Sequence, residues 1–187
     1  MGKVIAAINM TLDGFCDHTA VTPDSEIHDH YTALLRGADL FLYGRITYQL
    51  MEFWRDLAKN PSGEKSMDDF AVVMDKLPKI VFSHTLTQFD WKSARLATKN
   101  IEEEILNLKQ KSGMNIFIGS RSLIMQALKL NLIDELQLMV HPVVAGIGLP
   151  LFNDINEPIN LTLVKTKTFS SGAVLFYYNP IKTGKTY

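Results

Sequence analysis

One cysteine, Cys16, stands in 187 residues, so no internal disulfide can form and no cysteine-built zinc site is available. The five histidines show no H-E-x-x-H or related metal spacing. Neither sign of charge is in excess: 19 basic and 20 acidic residues leave a formal net charge of -1. That balance supplies no field for nucleic acid or an anionic membrane, although it leaves room for a local basic pocket around a phosphate. Long apolar runs are missing as well. The opening segment MGKVIAAINM is broken by Asn9, falls far short of the roughly 20 apolar residues of a membrane span, and does not have the form of a signal peptide. A cytoplasmic protein whose partner is a small molecule, with no nucleic acid and no membrane, is the expectation. The nucleophile elbow G-x-S-x-G, the Walker A loop and the H-x-E…P-C-x-x-C deaminase pattern are also absent.

What is present describes a packed α/β chain. With 47% hydrophobic residues the sequence can bury a core, and its length fits one domain over residues 1–187. Val4 to Ile8 reads as a buried strand, followed by a long loop from Thr11 to Pro23. Asp24 and Glu26 favour a helix start, and Gly37 a stop after Arg36. Further strands are expected at Leu40–Tyr43, Lys79–Ser83, Ile116–Ile118 and Glu135–His141, with a closing hairpin of Leu161–Thr168 and Val174–Tyr178. Helices are expected at Arg45–Trp54, Met67–Lys76, Ile101–Lys111 and Ser122–Leu130. The βαβα order implies a mostly parallel central sheet with helices on both faces and antiparallel strands at the C-terminal edge.

In such a sheet ligands bind beyond the carboxyl ends of the parallel strands. Two strand-to-helix junctions carry glycine there: Gly44-Arg45-Ile46-Thr47 and Gly119-Ser120-Arg121-Ser122. Glycine lets a ligand approach the backbone, and free N–H groups at a helix start suit phosphate. Either junction alone fits a tight turn equally well, whereas the pair favours a ligand with two or more phosphates. Ser83, His84 and Thr85 follow another strand and suit either an additional phosphate or a hydroxyl-rich turn. The run from His141 to Phe152 is a fixed Gly- and Pro-bearing loop, open to a structural, dimer-surface or ligand role, with Leu151 and Phe152 as its expected anchors in the core. Acid–base candidates are Asp13, His28, Asp29, His30 and His141; no triad can be assembled from them.

Six segments, in order, resemble the dihydrofolate reductase-like superfamily, and most closely the stand-alone relatives of the riboflavin-biosynthesis reductase domain, the RibD C-terminal domain family. They are Met10–Phe15, Gly44–Tyr48 with Trp54 downstream, Lys79–Ser83, Ile118–Leu123, Leu132–Leu136 and His141–Phe152. The resemblance implies a dihydrofolate-reductase-like fold and hydride transfer from NADPH to a small heterocycle, as in 5-amino-6-(5-phosphoribosylamino)uracil reductase. It implies that Ala7 faces the nicotinamide and that Asp13 and Gly14 belong to a loop closing over it. Gly44, Arg45, Thr47, Gly119, Ser120, Arg121 and Ser122 would hold the phosphates, with Ser83 and His84 near the adenosine ribose and its phosphate. The proton donor's position falls at His28, with Asp29 beside it. A homodimer is implied, and the apolar strand Leu136–Val140 with the closing hairpin offers a two-fold interface.

Departures from the family narrow the substrate. The Pro-Trp pair of the folate enzymes' mobile loop is replaced by Thr11-Leu12-Asp13-Gly14-Phe15, and Ser120 stands where folate reductases carry glycine. Dihydrofolate is therefore not the expected substrate, and without a deaminase signature neither is a bifunctional riboflavin enzyme. The expected substrate is a flat nitrogen heterocycle with a C=N or C=O group, with or without a ribose phosphate. The competing readings are a reductase of unrelated carbonyls or imines, a non-catalytic NADP(H)-binding protein, and a structural protein that uses its glycines only for turns.

Overall fold

The computed structural model describes residues 2–86, 89–110, 113–153 and 155–182. Eight strands form one sheet: β1 (Val4–Thr11), β2 (Leu40–Gly44), β3 (Lys79–Phe82), β4 (Ala94–Leu96), β5 (Ile116–Ile118), β6 (Glu135–His141), β7 (Leu161–Thr168) and β8 (Val174–Pro180). Their spatial order is β4-β3-β2-β5-β1-β6-β8-β7. The six strands from β4 to β6 run parallel, and β8 and β7 add antiparallel pairs, as the sequence pattern implies. Five helices connect them: α1 (Ser25–Arg36), α2 (Arg45–Lys59), α3 (Lys65–Lys76), α4 (Ile101–Lys109) and α5 (Arg121–Lys129).

The central strands are apolar on both faces because helices cover both. Leu40, Leu42, Ile80, Ile116 and Ile118 point into one core, shared with Ile105 and Leu128 of α4 and α5. The alternate residues Phe41, Tyr43, Val81 and Phe117 point into the opposite core, with Leu35, Tyr48 and Met74 of α1, α2 and α3. This two-residue alternation is the pleat of the strands. A third cluster, with Ile27, Met139, Phe169 and Leu175, fastens α1 over β6 and β8. No described helix is long and apolar enough to cross a membrane.

Several boundaries differ from expectation for physical reasons. β1 runs on to Thr11 because β6 pairs with it residue by residue as far as Thr11 and His141. α2 continues five residues past Trp54 to Lys59, where Asn60 caps it ahead of Pro61. α4 ends at Lys109; Lys111, in the expected helix, lies outside the described residues. β4 was not expected, since its three residues, Ala94 half-buried and Arg95 and Leu96 exposed, carry no apolar period. Leu151 is fully buried, but Phe152 is 41% exposed and does not anchor its loop in the core. β6 is an interior strand with Leu136, Leu138 and Met139 buried, so it is taken up by the chain's own sheet and not available as an interface. The outermost strand β7 does expose apolar side chains, Leu163 at 52% and Val164 at 54%.

Candidate functional site

The connection after β2 leads to α2 on one face of the sheet, and that after β5 leads to α5 on the other. β2 and β5 are neighbours, so their carboxyl ends part around a crevice, the position at which open α/β sheets bind ligands. A cleft of about 1500 Å³ opens there. Gly44 and Ser120 meet at its base, each two residues beyond the paired Leu42 and Ile118. The Gly44 N–H donates to Ser120 Oγ over 3.1 Å, and Thr47 Oγ1 lies 3.0 Å from the same oxygen. A methyl group on Gly44 would sit 2.9 Å from Ser120 Oγ and 3.2 Å from Ser122 Oγ. One on Gly119 would meet the Phe41 ring at 2.7 Å. Gly44 thus leaves room for the Ser120 and Ser122 hydroxyls between the two helix starts, and Gly119 leaves room for the Phe41 ring beneath them, which answers the choice between turn and ligand only in part: they make the site compact.

Electrostatics carry the rest. α1, α3 and α4 each place an acidic residue in the first turn, matching the positive end of the helix dipole. α2 and α5 have none, and each begins instead with arginine, Arg45 and Arg121. Their N-caps, Gly44 and Ser120, make no side-chain cap to the first turn. Two adjacent uncapped helix starts with two guanidinium groups form a site with unmet demand for anionic oxygens. Phosphate oxygens are the kind of group that meets such a demand. Arg45 is meanwhile held by Gln49 Oε1 at 3.0 Å, and Arg121 Nε donates to the Pro150 carbonyl at 2.6 Å, which aligns each along the cleft wall.

Ser83 and His84 line the same cleft just past β3, beside Lys99. Ser83 Oγ accepts from the N–H groups of Thr85 and Leu86 at 3.1 and 2.9 Å, so it stabilises its own turn and keeps only its hydroxyl proton for a ligand. His84 is exposed.

The opposite half of the cleft is built by β1 and by helices α1, α2 and α3. Ala7 lies on its floor. His28 sits among aromatic rings, its centroid 5.6 Å from Trp54 and 6.0 Å from Phe70, and those two rings meet edge to face at 4.6 Å. Burial pushes the His28 imidazolium below its ordinary range, against the pull of Asp24 and Asp29. Asp29 itself is exposed and does not line the cleft, so the structure separates the two residues expected around the proton donor. His30 lies outside the cleft as well, between Tyr31 and Phe169.

Sequence reasoning missed Asn9 and Tyr31. Asn9 Oδ1 accepts from Tyr31 Oη at 3.3 Å and lies 3.0 Å from Nε2 of the buried His141. With its carbonyl so engaged, Asn9 offers its amide N–H groups to the cleft. The only sequence sign was a polar residue interrupting an apolar strand.

Asp13 and Gly14 do not line the cleft. Asp13 instead accepts from Thr11 Oγ1 at 2.6 Å, from Ala145 N at 3.1 Å and from Gly146 N at 2.7 Å. These bonds, led by that from Thr11, hold its carboxyl down at about 2. Cys16 N and Leu149 N extend the same seam, donating to Leu149 O and Asp17 Oδ2. The loop after β1 is thus stitched to the loop after β6, and its Cys16–His18 part reaches the cleft rim.

Comparison with known proteins agrees with this architecture. The RibD C-terminal domain family matches residues 2–175. The uncharacterized protein YyaP of Bacillus subtilis (strain 168) is 38% identical over 181 residues, covering 95% of this chain and 94% of that protein. A solved protein named for riboflavin biosynthesis, from Shewanella sp. PV-4, superposes with a TM-score of 0.72 at 20% identity over 96% of this chain and 99% of the other. A diaminohydroxyphosphoribosylaminopyrimidine deaminase/5-amino-6-(5-phosphoribosylamino)uracil reductase from Thermotoga maritima gives 0.64 at 17% identity over 96% of this chain and 57% of that one. At such identities the structural likenesses establish the fold.

Proposed function

The chain belongs to the RibD C-terminal domain family, a family of reductase domains with the dihydrofolate-reductase-like fold, and from that premise we propose that it is an NADPH-dependent reductase of a C=N or C=O group in a small heterocycle. The observation that carries this reading is the pairing of two uncapped, arginine-led helix starts at Gly44 and Ser120. RibD-type reductase domains use NADPH, and the residues present fit it. Gly44, Arg45 and Thr47 would hold one phosphate and Ser120, Arg121 and Ser122 the other, with Ser83, His84 and Lys99 toward the ribose phosphate. Ala7, without a side chain beyond Cβ, leaves the sheet floor open for a flat ring.

When bound, NADPH supplies a hydride to the electrophilic carbon, and the nitrogen or oxygen of the reduced bond takes up a proton. His28 is the titratable group of this aromatic wall, and in its protonated form it can deliver that proton. Asn9 and Tyr31, fixed by one another and by His141, orient the heteroatom through neutral hydrogen bonds. The apolar wall around His28 excludes water from the reacting face. A homodimer through the exposed β7 strand belongs to the same reading, as does a cytoplasmic location.

Consumption of NADPH with a panel of heterocyclic imines, pteridines and ketones tests the proposal. Turnover of any of them, lost in Arg45→Ala, supports it. Saturable NADPH binding without turnover of any member would favour the non-catalytic binding protein instead.

A further inference from the structure

The charges of the cleft are unevenly shared between its halves. Among the described residues, the lysines and arginines lining it are Arg45, Lys99 and Arg121. Arg45 and Arg121 open the two phosphate-binding helices, and Lys99 stands just before α4, on the side of Ser83 and His84. All three are used by a dinucleotide with two phosphates and a ribose phosphate. No lysine or arginine among the described lining residues is left to meet an anion on the other half.

That half is apolar to an unusual degree. Trp54 and Phe70 form an edge-to-face pair beside His28. On α2, Ile46, Leu50 and Phe53 follow one another at helical spacing along the cleft wall and remain 64%, 36% and 55% exposed. An apolar stripe of this kind, facing a cavity and uncovered by the chain's own core, marks a surface that an apolar ligand covers. Besides His28, the polar groups of this half are Asn9 and Tyr31, which are neutral donors and acceptors. The one carboxylate on the lining, Asp17, is bonded to Leu149 N at 2.6 Å on the rim. A phosphate or carboxylate entering this half would lose its hydration and meet no lysine or arginine, only the His28 imidazole, whose charged form burial disfavours, and His18 on the rim beside Asp17.

We propose that the substrate half of the cleft binds an uncharged, flat aromatic heterocycle, seated against Trp54, Phe70 and the Ile46–Leu50–Phe53 stripe, and discriminates against phosphorylated or carboxylated substrates. This rests on the reductase reading above for the position of the cofactor. It departs from the ribose-phosphate substrate of the Thermotoga maritima relative.

The test is calorimetric titration of the full chain saturated with NADP+, so that no turnover occurs. The probes are quinoxaline, quinoxaline-2-carboxylate and 5-amino-6-(5-phosphoribosylamino)uracil. Quinoxaline is expected to bind at least tenfold more tightly than either anion. Phe53→Ser, at an exposed position that the fold tolerates, is expected to weaken quinoxaline about tenfold while leaving NADP+ affinity unchanged. Leu50→Arg is expected to narrow or reverse the preference by giving the carboxylate a partner. Tighter binding of either anion, or no binding of quinoxaline to a protein that does bind NADP+, overturns the proposal. Quinoxaline binding to a protein that does not bind NADP+ overturns the cofactor reading and leaves the apolar site standing.

Discussion

The Gly44 N–H donates to Ser120 Oγ over 3.1 Å, tying the N-cap of α2 to the N-cap of α5 across the sheet's crevice. Everything proposed for nucleotide binding depends on this approach. Gly44→Ala introduces a methyl group 2.9 Å from Ser120 Oγ, so that hydroxyl must turn out of its bond with the residue 44 N–H or the two helix starts must move apart. NADPH affinity is expected to fall at least tenfold, with a stability loss of about 1–3 kcal/mol from overpacking. Fluorescence titration and thermal melting of the variant read both effects, and an unchanged affinity would detach the glycine from the site.

The proton supply has a pH signature. Burial among Trp54 and Phe70 lowers the His28 pKa below 6.5, so the acid form becomes populated only as the pH falls below neutrality. Turnover limited by that proton is expected to rise as the pH drops through about 6.5 and beyond, down to the depressed value. His28→Gln should flatten this limb. A rate profile identical in the two proteins would remove His28 from the chemistry.

Asp13 links the loop after β1 to the loop after β6. Its carboxyl titrates at about 2 in the folded protein against an ordinary 3.8, because Thr11 and the Gly146 and Ala145 N–H groups bond its charged form. A depressed acid contributes stability that is complete above 3.8 and is lost as the pH falls through about 2. Asp13→Asn should therefore be less stable at neutral pH and lose less between pH 4 and 2. Urea unfolding at a series of pH values checks the slope, and parallel curves for the two proteins would contradict the assignment.

Lys79 is a buried cation outside the cleft, stacked 3.9 Å over the Trp91 ring and bonded to Leu77 O at 2.6 Å and Ser93 Oγ at 3.0 Å. It also bonds Met74 O, so it closes the carboxyl end of α3. Lys79→Met keeps the stem and leaves those carbonyls without a donor, at about 1–3 kcal/mol for each buried unmet group. The melting temperature is expected to drop by roughly 5–10 °C. Burial pushes the Lys79 ammonium down to about 7, so the native protein should also gain stability as pH rises from about 7 toward 10.5. The methionine variant should lack that gain.

The fold was readable wherever local pattern and tertiary demand coincide. Ile116–Ile118 is a strand at the residues that its apolar run indicates, and Glu135–His141 at those that its alternation indicates. Gly44 and Gly119 were visible as strand-end glycines leading into helices, which is a local signal. β4 was not readable, because its backbone is held by β3 and by no apolar period of its own. The aromatic wall was hidden for a similar reason: His28, Trp54 and Phe70 come from three helices, and only the packing of α3 against α1 and α2 brings them together. Asn9 and His141 are 132 positions apart and meet through the β1–β6 pairing. Asp13 was legible as a loop residue, but its partners on the loop after β6 were not.

The central claim is that the paired helix starts hold NADPH. Calorimetric titration of the full chain with NADPH and NADH, alongside Arg45→Ala and Arg121→Ala, measures it most directly. The account predicts one saturable NADPH site, tighter than NADH, weakened about 10- to 100-fold in each variant by loss of a charge-assisted contact. Absence of binding by either nucleotide, or binding indifferent to both arginines, would contradict it.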